Sequence, residues 1–121
     1  MEDLTPDAVI SIHDSIIARE GGDGRILSEG NLHQLVFHAN LEGDAFRRAA
    51  IAFCFLCAYP VFRAGNRRTA VRIAETVLAG AGVPAGLPCE EMRRLAREID
   101  AFAIGPGEVE DFLRGFTGST C

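Results

Sequence analysis

The chain reads as an all-α protein, and three observations give that class. Apolar residues recur at intervals of three and four along most of the 121 residues, and the segments so marked open on capping residues and close on glycine or proline. No stretch alternates apolar with polar residues as a half-buried strand would. One segment, residues 45–58, turns apolar on every side, the mark of a helix at the centre of its domain. The length suits one compact domain and is short for two. The expectation is a single domain over residues 1–121, a bundle of about six helices around a buried central one.

The first helix starts at Thr5-Pro6-Asp7, where Thr5 caps, Pro6 takes the first helical position and Asp7 lies in the first turn. Val9, Ile10, Ile12, Ile16 and Ile17 follow at helical spacing, and Gly21-Gly22 ends the run. His13 falls on or beside this stripe and reads as a hydrogen-bonded core histidine. Residues 21–27, rich in glycine, make a connection that suits a small hairpin or flap. Gly24, Arg25 and Ile26 could there dock an extended peptide, or the segment is an ordinary surface turn.

Ser28 caps the second helix, with Leu32, Leu35, Val36 and Ala39 inward and His33 and His38 on the surface. Asp44 caps the third, which Pro60 closes because proline disfavours helical geometry at the residue before it. The fourth runs from Asn66 to Gly80 with Ala70, Val71, Ile73, Ala74, Val77 and Leu78 inward, and Thr69 and Arg72 outward. Gly80, Gly82, Pro84, Gly86 and Pro88 mark a loop. The fifth helix runs from Cys89 or Glu90 to about Ala103, with Met92, Leu95, Ala96, Ile99 and Phe102 on its core face. Gly105-Pro106-Gly107 is a turn, Glu108 to Phe116 a short last helix, and the Thr117-Gly118-Ser119-Thr120 tail with Cys121 a frayed end.

Composition excludes several classes of function. A net charge of −5 argues against broad nucleic-acid binding. No apolar run reaches the roughly 18 to 20 residues of a membrane span. The acidic start, Met1-Glu2-Asp3-Leu4, lacks the charge and apolar stretch of a secretory signal, so a soluble, cytoplasmic protein is expected. All twelve basic residues are arginine, which excludes covalent chemistry through lysine. Cys54 and Cys57 are spaced as C-x-x-C, yet no second pair or histidine pair stands at zinc-ligand spacing, and both read as core thiols. No metal site is expected.

One stretch concentrates binding chemistry. In Tyr59-Pro60-Val61-Phe62-Arg63-Ala64-Gly65-Asn66-Arg67-Arg68-Thr69-Ala70, a Gly-Asn pair opens a helix whose first N–H groups lack intrahelical partners. Such an end attracts phosphate or carboxylate, and the arginine forks of Arg67 and Arg68 add bidentate grip. Arg63 and Arg72 extend this local anion site, and Arg47 with Arg48 forms a second cluster.

Leu4-Thr5 with Ile12-His13-Asp14, Gly21-Gly22 with Gly24-Arg25-Ile26, Gly30-Asn31-Leu32, Ala49-Ala50, Pro60-Val61-Phe62 and Gly65-Asn66-Arg67-Arg68-Thr69-Ala70 together resemble the Fic-domain proteins, and more closely their death-on-curing (Doc) branch. The resemblance covers nearly the whole chain. It implies an all-helical fold, transfer of AMP or phosphate from a nucleotide to a protein hydroxyl, and a toxin–antitoxin setting with a protein target and an antitoxin-like peptide as partners. The family motif is His-Pro-Phe-x-Asp/Glu-Gly-Asn-Gly/Lys-Arg. By that pattern Gly65, Asn66, Arg67 and Arg68 bind the phosphates of ATP or another nucleotide. The general-base histidine falls on Pro60 and the magnesium-holding acid on Ala64. Proline has no group to accept a proton, and the alanine side chain has no oxygen for magnesium. A one-residue slip brings Tyr59 opposite the histidine, but a phenol with a pKa of about 10 is a poor base.

Three readings follow. The chain is a Fic/Doc-like protein impaired in catalysis that still binds a nucleotide or another anion. Alternatively, it is an active transferase drawing base and metal ligand from His13, His33, His38, Asp14, Asp23 or Asp44. The third reading is a non-enzymatic helical protein that binds a partner.

Overall fold

The computed structural model describes residues 2–83 and 86–118; Pro84 and residues 119–121 lie outside the described residues. Six helices are present among them, α1 (Pro6–Glu20), α2 (Glu29–Asn40), α3 (Ala45–Ala58), α4 (Asn66–Gly80), α5 (Cys89–Asp100) and α6 (Pro106–Gly118). The all-α expectation holds. None of the described helices is long and apolar enough to cross a membrane.

The starts of the first three helices follow from their capping residues. Thr5 Oγ1 accepts from the Ala8 N–H at 3.1 Å, Ser28 Oγ from Asn31 at 3.1 Å and Asp44 Oδ1 from Arg47 at 3.0 Å. Each bond satisfies one N–H that the helix itself cannot reach. Gly21, at φ 81°, closes α1 in the left-handed region open to glycine.

Helix α3 is the centre. It packs against α2, α4, α5 and α6, while α1 lies instead on α4 and α2. Phe53, Leu35, Leu56, Ile73, Leu78, Met92 and Leu113 are fully buried in one core. Each such side chain contributes about 1.5–3 kcal/mol by leaving water. Arg48, from the second arginine cluster, is no surface ligand. It is buried and donates to the carbonyls of Glu42 at 3.0 Å and Glu2 at 3.1 Å, which ties the N-terminal segment to the α2–α3 loop.

Several local expectations are corrected. Thr69 is fully buried rather than outward-facing, because the inner face of α4 runs through Thr69, Ala70, Ile73 and Ala74. Helix α5 stops at Asp100, so Phe102 never reaches the core and is 92% exposed. Helix α6 begins at Pro106, not after the Gly-Pro-Gly turn, since proline fits the first helical position. Residues 21–27 make no hairpin on themselves. Ile26 forms a single antiparallel bridge with Phe62, extended by Leu27 N–H to Val61 O at 2.7 Å and Arg63 N–H to Arg25 O at 3.0 Å. The segment thus spends one backbone edge on the loop that leads into α4.

Candidate functional site

That loop, residues 59–65, is braced from three sides. From inside, the Asn66 side chain closes it: Oδ1 accepts the N–H groups of Val61 at 3.1 Å and Phe62 at 2.9 Å, and Nδ2 donates to Phe62 O at 2.7 Å. From α2, Asn31 Nδ2 donates to Pro60 O at 2.9 Å. From α1 comes His13. Its ring stacks on Phe62 with centroids 3.5 Å apart and planes 3° from parallel, and Nε2–H donates to Ala64 O at 2.7 Å. A carbonyl can only accept, so Nε2 carries the proton.

Gly65 then turns the chain into α4 at φ 81°. A Cβ here would sit 3.4 Å from both His13 Nε2 and Ile17 Cδ1, so glycine suits both the backbone angle and the close approach of α1. Unlike the first three helices, α4 has no side-chain cap. Its leading N–H groups lack intrahelical partners, and the helix dipole places partial positive charge there.

This end of α4 borders a cleft of about 840 Å³ between α1, α3, α4 and α5. Six arginines line it (Arg19, Arg63, Arg67, Arg68, Arg72 and Arg93) against three carboxylates (Glu20, Glu75 and Asp100). The cleft is therefore locally cationic in a protein of net charge −5. Each carboxylate is engaged: Glu20 with Arg68 at 3.1 Å, Asp100 with Arg67, and Glu75 with the Leu87 N–H at 2.9 Å and with Arg72 at 3.7 Å. Arg19 and Arg63 form no ion pair among the described residues, although Arg63 helps lower the pKa of Asp23. That carboxyl is held down at about 2, chiefly by its hydrogen bonds with Arg25. Leu56, Cys57, Val71, Met92 and Ala96 give the cleft an apolar wall.

Gly65, Asn66, Arg67 and Arg68 all line the cleft. The Asn66 side chain holds the loop with both Oδ1 and Nδ2, so its backbone N–H is the group that faces the first turn's candidate anion-binding end. Pro60 and Ala64 do line the cleft, whereas Tyr59 turns away to pack on Phe55 at 4.9 Å, in a groove on the far side of α3. Gly24, Arg25 and Ile26 flank the loop without lining the cleft. No histidine lines it: His33 and His38 are exposed elsewhere, and His13 is fully buried behind the loop. His13 Nδ1 and Thr69 Oγ1 have no hydrogen-bond partner among the described residues.

Spacing does not reveal Arg19, Glu20, Arg93 or Asp100 as cleft residues. A fold-level signal exists only for the first two, which sit in the last turn of α1 just before its glycine cap. Burial pushes the thiols of Cys54 and Cys57 up to about 12, which leaves them protonated at neutral pH, as core thiols are.

A phosphate fits this donor set, since guanidinium forks and helix N–H groups are its usual protein partners. Magnesium takes oxygen ligands, and here the Glu20, Asp100 and Glu75 carboxylates each already meet an arginine or a backbone N–H and the Ala64 carbonyl accepts from His13, so the set suits phosphate better than the metal. No protein-family model matches the sequence, and no curated protein matches it either.

Proposed function

We propose that this protein binds a phosphorylated ligand, with a nucleotide such as ATP as first choice, in the arginine cleft, as a Fic/Doc-like protein whose transferase chemistry is reduced or lost. One observation carries the reading: the uncapped start of α4 meets a cleft with six arginines and three carboxylates. Phosphate oxygens would take the backbone N–H groups of the first turn and the forks of Arg67 and Arg68. Arg19 and Arg63, which form no ion pair among the described residues, would supply further positive charge.

Reduced chemistry is supported by the groups present. No histidine lines the cleft, and each carboxylate there is held by an arginine, a backbone N–H or both. Lack of a general base costs typically 10² to 10⁴ in rate, about 3–5 kcal/mol of barrier. A cytoplasmic setting and a protein target or antitoxin-like peptide go with the same proposal.

The test is calorimetric titration with ATP, ADP and AMP, with and without magnesium. Binding should be saturable and nearly independent of magnesium. Arg68→Ala should weaken it ten- to hundredfold, about 1.5–3 kcal/mol for a charge-assisted contact. Equal affinity in the variant would overturn the reading.

A further inference from the structure

We propose that a second concave region, the aromatic groove between α3 and the α5–α6 turn, is a self-association face. Phe102 of one copy enters the groove of a second copy across a two-fold axis.

Phe102 is the anomaly that points there. Helix α5 ends with Phe102 N–H donating to Ile99 O at 2.9 Å and Ala103 N–H to Glu98 O at 2.8 Å. That pair of bonds defines a turn whose left-handed position usually belongs to glycine. Here a phenylalanine occupies it at φ 58°, the one non-glycine residue with positive φ among those described. Its Cβ strains the backbone, and its ring is 92% exposed. Both features cost the isolated chain stability, and with 92% of the residue exposed little burial offsets them. Strain held at an exposed aromatic side chain is the mark of a contact made with another molecule.

The surroundings complete the surface. The groove encloses about 390 Å³ and is lined by Ile51, Cys54, Phe55, Tyr59, Ile104 and Phe102 itself. Phe37 packs edge-on against His38 at 5.4 Å, His38 stacks on Phe55 at 5.5 Å and Phe55 meets Tyr59 at 4.9 Å, so the aromatic row is continuous. Phe37, Tyr59 and Phe102 are 57%, 55% and 92% exposed, which for side chains of this size leaves roughly 400 Å² of apolar surface per copy. Two copies would bury about twice that from these residues alone. With the groove walls this reaches the lower end of specific interfaces, about 1,000 Å² in total.

A second copy is the occupant because one face carries both the projecting ring and a hollow large enough to take one. A two-fold axis then satisfies both at once. Charge does not oppose it within the groove, whose lining includes no aspartate, glutamate or arginine.

The experiment is analytical ultracentrifugation of the full chain over about 1 µM to 1 mM, the range in which an interface of this size should dissociate. The protein should pass from monomer to dimer. Phe102→Gly should raise the dissociation constant at least about tenfold, as loss of a central aromatic anchor does. It should also melt at the same or a higher temperature, because glycine is at ease at this φ. The chain has no tryptophan, so Phe102→Trp gives a single reporter whose emission should move to the blue as dimer forms. A chain that stays monomeric throughout overturns the proposal and leaves the face to a different partner. Undiminished association of Phe102→Gly, or dimerisation without a shift in the tryptophan emission, overturns it as well.

Discussion

Arginine meets carboxylate in two regions of this protein, and the two sets of pairs are built differently. At the corner where α6 crosses the start of α3, Arg114 donates to Glu110 from Nε at 3.0 Å and Nη2 at 2.8 Å, and to Asp44 at 2.7 Å, while its guanidinium lies 4.8 Å over the Phe46 ring. Arg47 joins through Glu42 and Glu110. In the cleft, Arg68 meets Glu20 and Arg67 meets Asp100 by one contact each, beside a helix end with no cap. Multiple donors, shared acceptors and a stacked ring make the corner hard to exchange. Single contacts in a concave region with surplus arginine make the cleft pairs replaceable by an arriving anion. The same chemistry thus serves structure at the corner, and in the cleft it serves the anion binding proposed above.

The largest effect expected from breaking this contrast lies beneath the cleft rather than in its charges. Asn66→Ala removes three hydrogen bonds and leaves the N–H groups of the buried Val61 and Phe62 without their partner. An unsatisfied buried donor costs about 1–3 kcal/mol, so denaturant unfolding should show a loss of about 2–4 kcal/mol. Anion affinity should fall with it, since the loop that aims α4 loosens. Asn66→Asp keeps both acceptor contacts and loses the donor, so it should lose less. If both variants lost the same amount, the two accepted bonds would not be what holds the loop.

This brace also marks where the sequence stops being legible. The caps at Thr5, Ser28 and Asp44 could be read because capping is local, the side chain reaching an N–H three residues on. The glycine-arginine turn could be read for the same reason. What completes the cleft is not local: His13 reaches Ala64 across 51 positions, Glu20 reaches Arg68 across 48 and Asp100 reaches Arg67 across 33. No periodicity encodes those distances. His13 was legible as a core histidine but not as the support of the loop. The error at Phe102 has a different source. The apolar stripe of α5 continues past the true helix end, and the glycine that would announce a left-handed stop is replaced by phenylalanine.

A smaller and more direct test exchanges one carboxylate in each region. Glu20→Gln frees Arg68, so phosphate or nucleotide affinity should rise two- to fivefold, about 0.4–1 kcal/mol, with stability nearly unchanged. Glu110→Gln weakens the corner, where it should lower stability by a few tenths to about 1 kcal/mol and leave affinity as it was. Calorimetry and thermal melting of both variants separate the two outcomes. A rise in affinity from Glu110→Gln, or none from Glu20→Gln, would erase the distinction between the regions.

The smallest effect concerns acid. The Asp44 carboxyl is held below its ordinary value of 3.8, first by the backbone N–H of Arg47 and then by the side chain of Arg114. A group whose pKa is lowered on folding adds stability above its unfolded value and loses it as pH falls through the folded one. Asp44→Asn keeps a capping oxygen but has no charge for Arg114 to meet. The wild type should therefore exceed this variant in stability between pH 5 and 7, by less than about 1 kcal/mol because the pair is exposed and screened. The gap should close as pH drops below about 4 and the carboxyl protonates. Thermal melts of both proteins across that window measure it. A gap that stayed constant into acid would mean that shape rather than charge holds α6 on α3, and the contrast with the exchangeable pairs of the cleft would then need a different cause.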